Sequence, residues 1–333
     1  MEIKYSKEPA FINRQKELKY LQDWISQKPE NILFLYGPKS SGKTTLLNKF
    51  INENISNESF SIKFFNLREI LIVNYKDFIQ VFFEKDDELT NKELRKKQQY
   101  DLKVFKLSFE TLKKLETKEI DPFVVMKKEL IKLNEENKKP IIIIDELQAL
   151  SDIYLNGQRE LLKELFNFFV AMTKESHLCH IIISSSDGYF IERIYSDSKL
   201  LKTSRFLEID YLPKKDIVYW LNNLEKESSI KTLKLSDYQI ERIWYYFGGS
   251  VWEVSNFLST LMNISKNNKV EDNQIEEEAK KEIVAFSVRF ADYIGIHYDM
   301  ELFHKIFEAI KKNGFVKLSD LLKTLINENC MKS

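Results

Sequence analysis

The amino-acid sequence predicts an α/β protein, in which a parallel β-sheet is covered by helices and followed by a region of helices alone. Five short apolar or alternating runs have strand character, and helical patterns separate most of them. Four consecutive isoleucines at 141–144 indicate a strand buried on both faces, as in parallel sheets. From Pro213 onward, apolar residues recur mainly at helical spacing. The predicted strands lie at 31–36, 59–67, 140–145, 181–186 and 206–209.

Length and composition narrow the class of protein. The 333 residues suffice for about two domains, each with its own core. A hydrophobic content of 43% with 31% charged residues is typical of a globular chain. Lys and Arg together number 51, as do Asp and Glu, so the net charge gives no reason to expect nucleic acid or a membrane surface as a partner. A local basic face remains open.

Cysteine use and the N-terminus indicate the compartment. Cys179 and Cys330 lie far apart and outside any CxxC pattern, which is typical of a reducing compartment without structural disulfides or a zinc site. The N-terminus has no signal-peptide apolar region, and the longest apolar runs have the length of strands. We therefore expect a cytoplasmic protein that does not cross a membrane.

The strand at 31–36 leads into a phosphate-binding pattern. Residues 37–44 read GPKSSGKT and fit GxxxxGK[ST], and helical spacing follows. Glycines at 37 and 42 let the backbone curl so that successive N–H groups point at a polyphosphate. Lys43 would reach the β and γ phosphates, and the Thr44 hydroxyl would bind Mg²⁺. The expected nucleotide-binding residues are Gly37, Pro38, Lys39, Ser40, Ser41, Gly42, Lys43 and Thr44.

An acidic pair ends the isoleucine-rich strand. Asp145 and Glu146 follow the apolar run directly, and carboxylates at the end of a buried strand are costly unless a cation or substrate uses them. With a phosphate loop in the same chain, we expect Asp145 to hold Mg²⁺ through water and Glu146 to polarise the attacking water. Taken alone, the pattern is also typical of a strand end before a helix cap.

Three further kinds of residue are weaker candidates. Ser184 and Ser185 end the next strand and could contact the γ-phosphate or the water, although turn residues are common there. Arg193 and Arg205 are placed to reach a phosphate in the same chain or from a neighbouring subunit, but exposed surface arginines are an equally good interpretation. Arg14 precedes an amphipathic helix for which Asn13 is the expected N-cap; such an arginine is more often a surface residue than a ligand.

Together these motifs resemble the archaeal ATPase family, which is related to AAA+ and STAND NTPases and to origin-recognition initiators. The matching stretches are FINRQKEL at 11–18, GPKSSGKTTL at 37–46, IIIIDELQAL at 141–150, IIISSSD at 181–187 and YFGGSVWEV at 246–254. The resemblance implies a P-loop NTPase fold whose five parallel strands have the order 5-1-4-3-2, a helical lid and a C-terminal winged-helix-like segment. It also implies that the segment ending at Arg14 borders the adenine and that Ser184 or Ser185 is a sensor of the γ-phosphate.

The domain organisation follows from the same patterns. We expect an ATPase core at 1–212 with a helical insertion at 75–120 that contains no strand and carries the charged run 92–99, a lid at 213–270 and a C-terminal helical segment at 271–333. Apolar stripes predict helices at 213–225, 236–247, 251–263, 275–293 and 300–312.

The leading hypothesis is a Mg²⁺-dependent ATP-binding protein that hydrolyses ATP, with Glu146 and Lys43 as the principal catalytic residues and Ser185 and Arg205 as weaker candidates. One alternative is a slow nucleotide-dependent switch that acts through an unknown protein partner. Formation of an oligomer is left open. A second alternative is a DNA-dependent ATPase that uses the C-terminal segment.

Overall fold

The structure is a computed structural model that describes residues 10–55, 58–85, 105–151, 153–154, 160–186, 190, 198–228, 230 and 233–297, together with 304, 305 and 308. The chain divides into two compact units. The first contains residues 1–233 and 247–256, and the second contains residues 234–246 and 257–333. The domain boundaries expected from the sequence, at 212 and 270, stay a prediction.

A five-stranded parallel sheet forms the centre of the first unit. Its strands are β1 (Ile32–Tyr36), β2 (Phe60–Asn66), β5 (Lys139–Asp145), β6 (His180–Ser185) and β7 (Ser204–Glu208). The spatial order is β2-β5-β6-β1-β7, which is the predicted order 5-1-4-3-2 when these five strands are numbered along the chain. The predicted fold class, an α/β protein with a parallel sheet, is confirmed.

Apolar residues on both faces of each central strand explain why the sheet is sandwiched between helices. Ile142 and Ile144 of β5 belong to one buried cluster, whereas Ile141 and Ile143 belong to the other. Alternate residues of a strand point to opposite faces, so four consecutive isoleucines supply both cores. The strands therefore end in a fixed position between two apolar layers, and their C-terminal residues are held at one edge of the sheet.

Helices of the first unit begin and end close to the predicted positions. The helix predicted after Asn13 is α1 (Gln15–Ser26), but Arg14 occupies the N-cap position and makes no side-chain cap. The prediction of Asn13 as the N-cap was wrong, because the Asn13 side chain instead donates through Nδ2 to Asp216 Oδ2 at 2.7 Å. The other α-helices are Lys43–Asn54, Tyr75–Phe82, Phe109–Glu116, Pro122–Glu135, Leu161–Val170, Ser198–Lys202, Lys214–Asn222 and Leu224–Glu227, with 3₁₀ turns at Leu67–Glu69 and Leu147–Leu150 and a π-helical turn at Ala171–Glu175.

The insertion expected to be helical contains strands as well. Helices Tyr75–Phe82 and Phe109–Glu116 flank β3 (Phe83–Lys85) and β4 (Phe105–Leu107), which pair in parallel as a separate two-stranded sheet. The expectation of no strand was wrong here, because three-residue strands are too short to show an alternating pattern. Their pairing is supported by the buried rings of Phe83 and Phe105, whose centroids are 5.8 Å apart. The charged run 92–99 lies outside the described residues.

The second unit is helical over its described residues. Helices Asp237–Phe247 and Asp272–His297 confirm the helices predicted at 236–247 and 275–293, and Val251–Ile264 confirms the one at 251–263. The Arg242 guanidinium donates to both carboxylate oxygens of Glu276, which joins the first two helices. The helix predicted at 300–312 and most of the winged-helix-like segment lie outside the described residues.

Candidate nucleotide-binding site

The phosphate loop is a tight turn between β1 and the helix Lys43–Asn54. Gly42 caps that helix with φ +92° and Ser40 has φ +64°, so the loop uses the left-handed region at two positions. Gly37 has φ +151°, and a Cβ atom built there would lie 2.1 Å from the Ile209 carbonyl oxygen. No side chain fits in that space, which explains the glycine at the first position of the motif.

Lys43 is buried inside its own loop. Its Nζ donates to the carbonyl oxygens of Gly37 at 2.9 Å and Pro38 at 2.8 Å. Burial lowers the pKa of Lys43, and Arg68 acts in the same direction, whereas the carboxylates of Glu146 and Asp145 oppose the shift. The ammonium therefore lies close enough to both carboxylates and to Arg68 to interact with them electrostatically.

Thr44 and Asp145 connect the phosphate loop to the acidic pair. Thr44 Oγ1 donates to Asp145 Oδ2 at 2.7 Å, although the two residues lie 101 positions apart. Asp145 is only 2% exposed, and its Oδ1 is buried without a hydrogen-bond partner among the described residues. A hydroxyl and a carboxylate beside a phosphate loop are the hard oxygen donors that Mg²⁺ prefers. A cation or a water at Asp145 Oδ1 would replace the hydration that this oxygen loses on burial. The donor set fits Mg²⁺.

Glu146 is held by donors on three sides. Its φ is +63°, and its backbone N–H donates to the Ser184 carbonyl oxygen at 2.8 Å. The carboxylate accepts hydrogen bonds from Ser186 Oγ at 2.9 Å, from Gln148 Nε2 and from the Arg68 guanidinium. Glu146 is therefore a buried, fully hydrogen-bonded carboxylate at the same sheet edge as the phosphate loop.

The strand-end serines lie at this edge as well. Ser184 pairs with Asp145 in the β5–β6 register, and Ser185 pairs with Tyr36, the last residue before the phosphate loop. Ser185 Oγ donates to Gln148 Oε1 at 3.0 Å, and Gln148 in turn donates to Glu146. Ser184 Oγ is buried and has no hydrogen-bond partner among the described residues. The structure thus brings both predicted serines next to the acidic pair.

Arg14 contacts the phosphate loop through backbone atoms. Its Nη2 donates to the carbonyl oxygens of Ser41 at 3.1 Å and Asp210 at 2.5 Å, and its Nη1 donates to Glu17 at 3.0 Å. The guanidinium therefore fixes the position of the loop relative to β7. Arg14 is thus a partly buried residue that positions the loop, and its role as a nucleotide ligand stays a prediction.

The family model for an ATPase domain predominantly from Archaea matches residues 11–257. The chain belongs to this archaeal ATPase family. An ATP-binding protein of Methanocaldococcus jannaschii is 42% identical over 212 residues, 62% of this chain and 58% of that protein, so the match spans less than two thirds of that relative. A second ATP-binding protein of the same organism is 35% identical over 306 residues, 88% of this chain and 85% of that protein.

Solved structures show the same fold. The Walker-type ATPase of Pyrococcus abyssi is similar with a TM-score of 0.60 and 19% identity, covering 85% of this chain and 76% of that chain. The ORC2 protein of Aeropyrum pernix, solved in ADPNP-ADP complexes, has a TM-score of 0.54 and 12% identity, covering 84% of this chain and 70% of that chain. At such identities the likeness shows the fold alone. The predicted membership in the archaeal ATPase family is confirmed, and the fold is shared with an origin-recognition protein. Within the described residues of this chain, no helix has both the length and the apolar composition needed to cross a membrane.

Arg205 does not reach the phosphate loop of its own chain. It lies inside β7 and pairs with Leu33 near the start of β1, whereas the phosphate loop follows the last residue of β1. Its side chain lines a pocket of 340 Å³ together with Trp24 and Lys28 at the opposite edge of the sheet. The prediction that Arg205 acts at the phosphate loop of its own chain was therefore wrong. A role of Arg205 at the phosphate loop of a neighbouring subunit stays a prediction. Arg193 lies outside the described residues.

Sequence reasoning missed Arg68. This residue lies two positions after Asn66, which pairs with Asp145, so it belongs to the same C-terminal sheet edge as the acidic pair. Besides Glu146, its Nη2 donates to Ser186 Oγ at 2.8 Å. Polar residues that follow any strand of a parallel sheet meet at one edge. The run Asn66-Leu67-Arg68-Glu69 at the end of the second predicted strand was therefore a usable signal.

Proposed function

We propose that this chain binds ATP with Mg²⁺ and hydrolyses it to ADP and inorganic phosphate. The observation that supports this most directly is the 2.7 Å hydrogen bond from Thr44 to Asp145, which joins the phosphate loop to the acidic pair. The membership in an archaeal ATPase family and the ATP-binding relatives support the nucleotide. A cytoplasmic location remains part of the proposal on the sequence grounds given above.

Binding would rearrange contacts that the loop makes with itself. Lys43 Nζ now donates to two loop carbonyl oxygens, and phosphate oxygens are stronger acceptors for an ammonium than neutral carbonyls. The backbone N–H groups of residues 37–44 and the N-terminus of the helix that begins at Lys43 add donors for the same phosphates. Mg²⁺ held by Thr44 and Asp145, in part through water, would neutralise charge on the β and γ phosphates.

Hydrolysis then needs a base beside the γ-phosphate, and Glu146 is the proposed one. The oxygen of water forms a bond to the γ-phosphorus while the bond from that phosphorus to the β–γ bridging oxygen breaks, and the bonding electron pair leaves with ADP. The proton of the water passes to the Glu146 carboxylate and from there to solvent or product. Ser186 and Gln148, which already donate to Glu146, would orient the carboxylate for this step.

Two variants separate binding from hydrolysis. Lys43→Ala removes the ammonium of the loop, and we expect ATP affinity to fall about 100-fold, since charge-assisted hydrogen bonds to phosphate are lost. Glu146→Gln should bind ATP normally but lower the single-turnover rate by about 10²- to 10⁴-fold. Titration calorimetry measures the first effect and phosphate release the second.

The control is Lys114→Ala, because Lys114 pairs with Glu110 on the surface of the helix Phe109–Glu116 at 2.7 Å. It should change neither quantity. Undiminished phosphate release by Glu146→Gln would exclude Glu146 as the base, and undiminished ATP affinity of Lys43→Ala would exclude the site itself.

A second candidate function, a nucleotide-dependent switch that acts through a protein partner, is favoured by an exposed aliphatic loop. Leu71 is 84% exposed and Val73 is 65% exposed, in the segment that follows Arg68. Both ends of this loop are fixed: Asn66 Oδ1 accepts from the Arg68 N–H at 3.2 Å, and Asp77 Oδ2 accepts from the Val73 N–H at 2.8 Å. A rigid apolar loop loses little conformational entropy when it docks into a partner's apolar cleft.

The partner would be a protein, or a second copy of this chain. We expect association that is stronger with a non-hydrolysable ATP analogue than with ADP, and that Leu71→Ser abolishes. Light scattering detects a second copy, and cross-linking in the source organism detects another protein. Leu201→Ser, which removes an exposed leucine far along the chain, is the control. Association that Leu71→Ser leaves intact would exclude this loop as the docking surface. Stimulation of ATP hydrolysis by DNA stays a prediction.

A further inference from the structure

The position of Arg68 is fixed by the strand that precedes it. Asn66, the last residue of β2, pairs with Asp145, and its side chain donates to Glu69 at 2.8 Å and accepts from the Arg68 N–H at 3.2 Å. These bonds close the short turn Leu67–Glu69 and aim the Arg68 side chain along the sheet edge towards Glu146 and Ser186. The guanidinium thus lies in the row of polar groups that faces the phosphate loop.

Arg68 is the partner in its ion pair that is free to move. Its side chain is 51% exposed, whereas the Glu146 side chain is 6% exposed. If the guanidinium left, Glu146 would keep its hydrogen bonds from Ser186 Oγ and Gln148 Nε2 and would not become an unpaired buried charge. Departure of Arg68 would therefore leave the proposed base oriented while freeing Glu146 Oε1 to accept a hydrogen bond from the attacking water.

The charges around the loop favour a second position for this guanidinium. The Lys43 ammonium bonds two loop carbonyl oxygens, Asp145 accepts from Thr44 of the loop, and Arg68 bonds Glu146, so two cations and two carboxylates already lie along this edge. A bound triphosphate adds negative charge at this edge. The γ-phosphate would offer the Arg68 fork two acceptor oxygens with more charge than one carboxylate oxygen shared with Ser186.

The other arginines described in the first unit are not available for this role. Arg14 donates to two carbonyl oxygens and to Glu17, and Arg205 lies at the opposite edge of the sheet. Among the described residues of that unit, Arg68 is the arginine whose guanidinium lies beside the proposed base.

We propose that Arg68 is a catalytic residue of this chain, which passes from Glu146 to the γ-phosphate when ATP binds and stabilises the charge of the transferring phosphoryl group. The inference rests on the proposed function. One movement of Arg68 would supply transition-state stabilisation in the same subunit and release Glu146 to accept the proton of water. ADP lacks the γ-phosphate, so with ADP the arginine would stay on Glu146.

The test measures dissociation constants for a non-hydrolysable ATP analogue and for ADP, together with the single-turnover rate, in Arg68→Ala and Arg68→Lys. For Arg68→Ala we expect about tenfold weaker analogue binding, unchanged ADP binding and a rate about 10³-fold lower. Arg68→Lys should recover part of both losses because the charge remains. Lys114→Ala is the control, and an unchanged melting temperature of Arg68→Ala shows that folding is not the cause.

The outcomes separate this inference from the proposed function. Equal or faster turnover of Arg68→Ala in an active protein would overturn the inference alone, because Arg68 would then only restrain Glu146. If the wild-type protein binds ATP without hydrolysing it, the affinity ratio between the analogue and ADP still decides whether Arg68 contacts the γ-phosphate. Failure of the wild-type protein to bind ATP would overturn both.

Discussion

Replacement of Thr44 by valine tests the connection between the phosphate loop and the acidic pair. Valine has nearly the same shape as threonine but no hydroxyl, so Thr44→Val removes the 2.7 Å hydrogen bond to Asp145 Oδ2. Because Asp145 Oδ1 has no hydrogen-bond partner among the described residues, the variant would leave a 2% exposed carboxylate without either bond. We expect the free energy of unfolding to fall by about 1.5 to 3 kcal/mol, the usual contribution of a hydrogen bond to a charged group.

Thermal unfolding without nucleotide measures this loss as a melting temperature several degrees lower. Thr45→Val is the matched control, because it removes a hydroxyl one position along the same helix for which the structure describes no hydrogen bond. In a second arm, Mg²⁺ is added to the protein with ATP. Mg²⁺ should raise the melting temperature of the wild-type protein but not that of Thr44→Val. Equal melting temperatures of Thr44→Val and Thr45→Val, or an undiminished Mg²⁺ effect, would refute the reasoning.

Three further predictions concern the loop, a buried histidine and DNA. Gly37→Ala should abolish ATP binding in a titration and lower the melting temperature, because the new Cβ would lie 2.1 Å from the Ile209 carbonyl oxygen; normal binding would contradict the tight turn. Burial lowers the pKa of His180 to about 4. As the pH falls from 6.5 to 4, His180 is protonated in the unfolded chain before it is protonated in the folded protein, so the free energy of unfolding should fall by about 3 kcal/mol. His180→Leu should reduce that slope in denaturant titrations, and an equal slope in both proteins would exclude the histidine as its cause. With equal numbers of acidic and basic residues, we expect DNA to leave the ATPase rate unchanged in low salt; salt-sensitive stimulation would instead favour the DNA-dependent alternative.

The central strands were predictable from their apolar patterning, whereas their order was implied by the resemblance to the archaeal ATPase family. Runs such as the isoleucines of β5 can be satisfied only between two layers of helices. The first residues of β7 were missed, because an edge strand tolerates polar residues such as Ser204 and Arg205. Even with the predicted boundary, Arg205 precedes a parallel strand and therefore belongs to the sheet edge opposite the phosphate loop, so the strand direction already argued against a role in the site of its own chain.

The candidate site was predictable as an edge but not as a set of contacts. Residues that follow parallel strands meet at one edge, so Asp145, Glu146 and the strand-end serines were expected near the loop. The contact of Arg68 with Glu146 joins residues 78 positions apart and depends on β2 lying next to β5 and on the turn that follows β2. Side-chain direction after a strand end leaves no periodic trace in a sequence.

The segment 209–212 shows how the loop and the family motif at 246–254 depend on each other within the first unit. The Ile209 backbone packs against Gly37, and Tyr211 Oη donates to the Lys39 carbonyl oxygen at 3.1 Å. Burial raises the pKa of Tyr211, and the nearby Glu253 and Asp210 act in the same direction, so the hydroxyl stays protonated and can donate. At the other end, the Leu212 N–H donates to the Gly249 carbonyl oxygen at 3.0 Å, and a Cβ at position 249 would lie 1.9 Å from the Leu212 carbonyl oxygen. A phosphate that turns the Lys39 peptide must break the Tyr211 hydrogen bond or carry the segment with it. Movement of this segment would also move Leu212 and its hydrogen bond to Gly249. The position of Gly249 in the family motif is therefore coupled to the loop that we propose binds the phosphates.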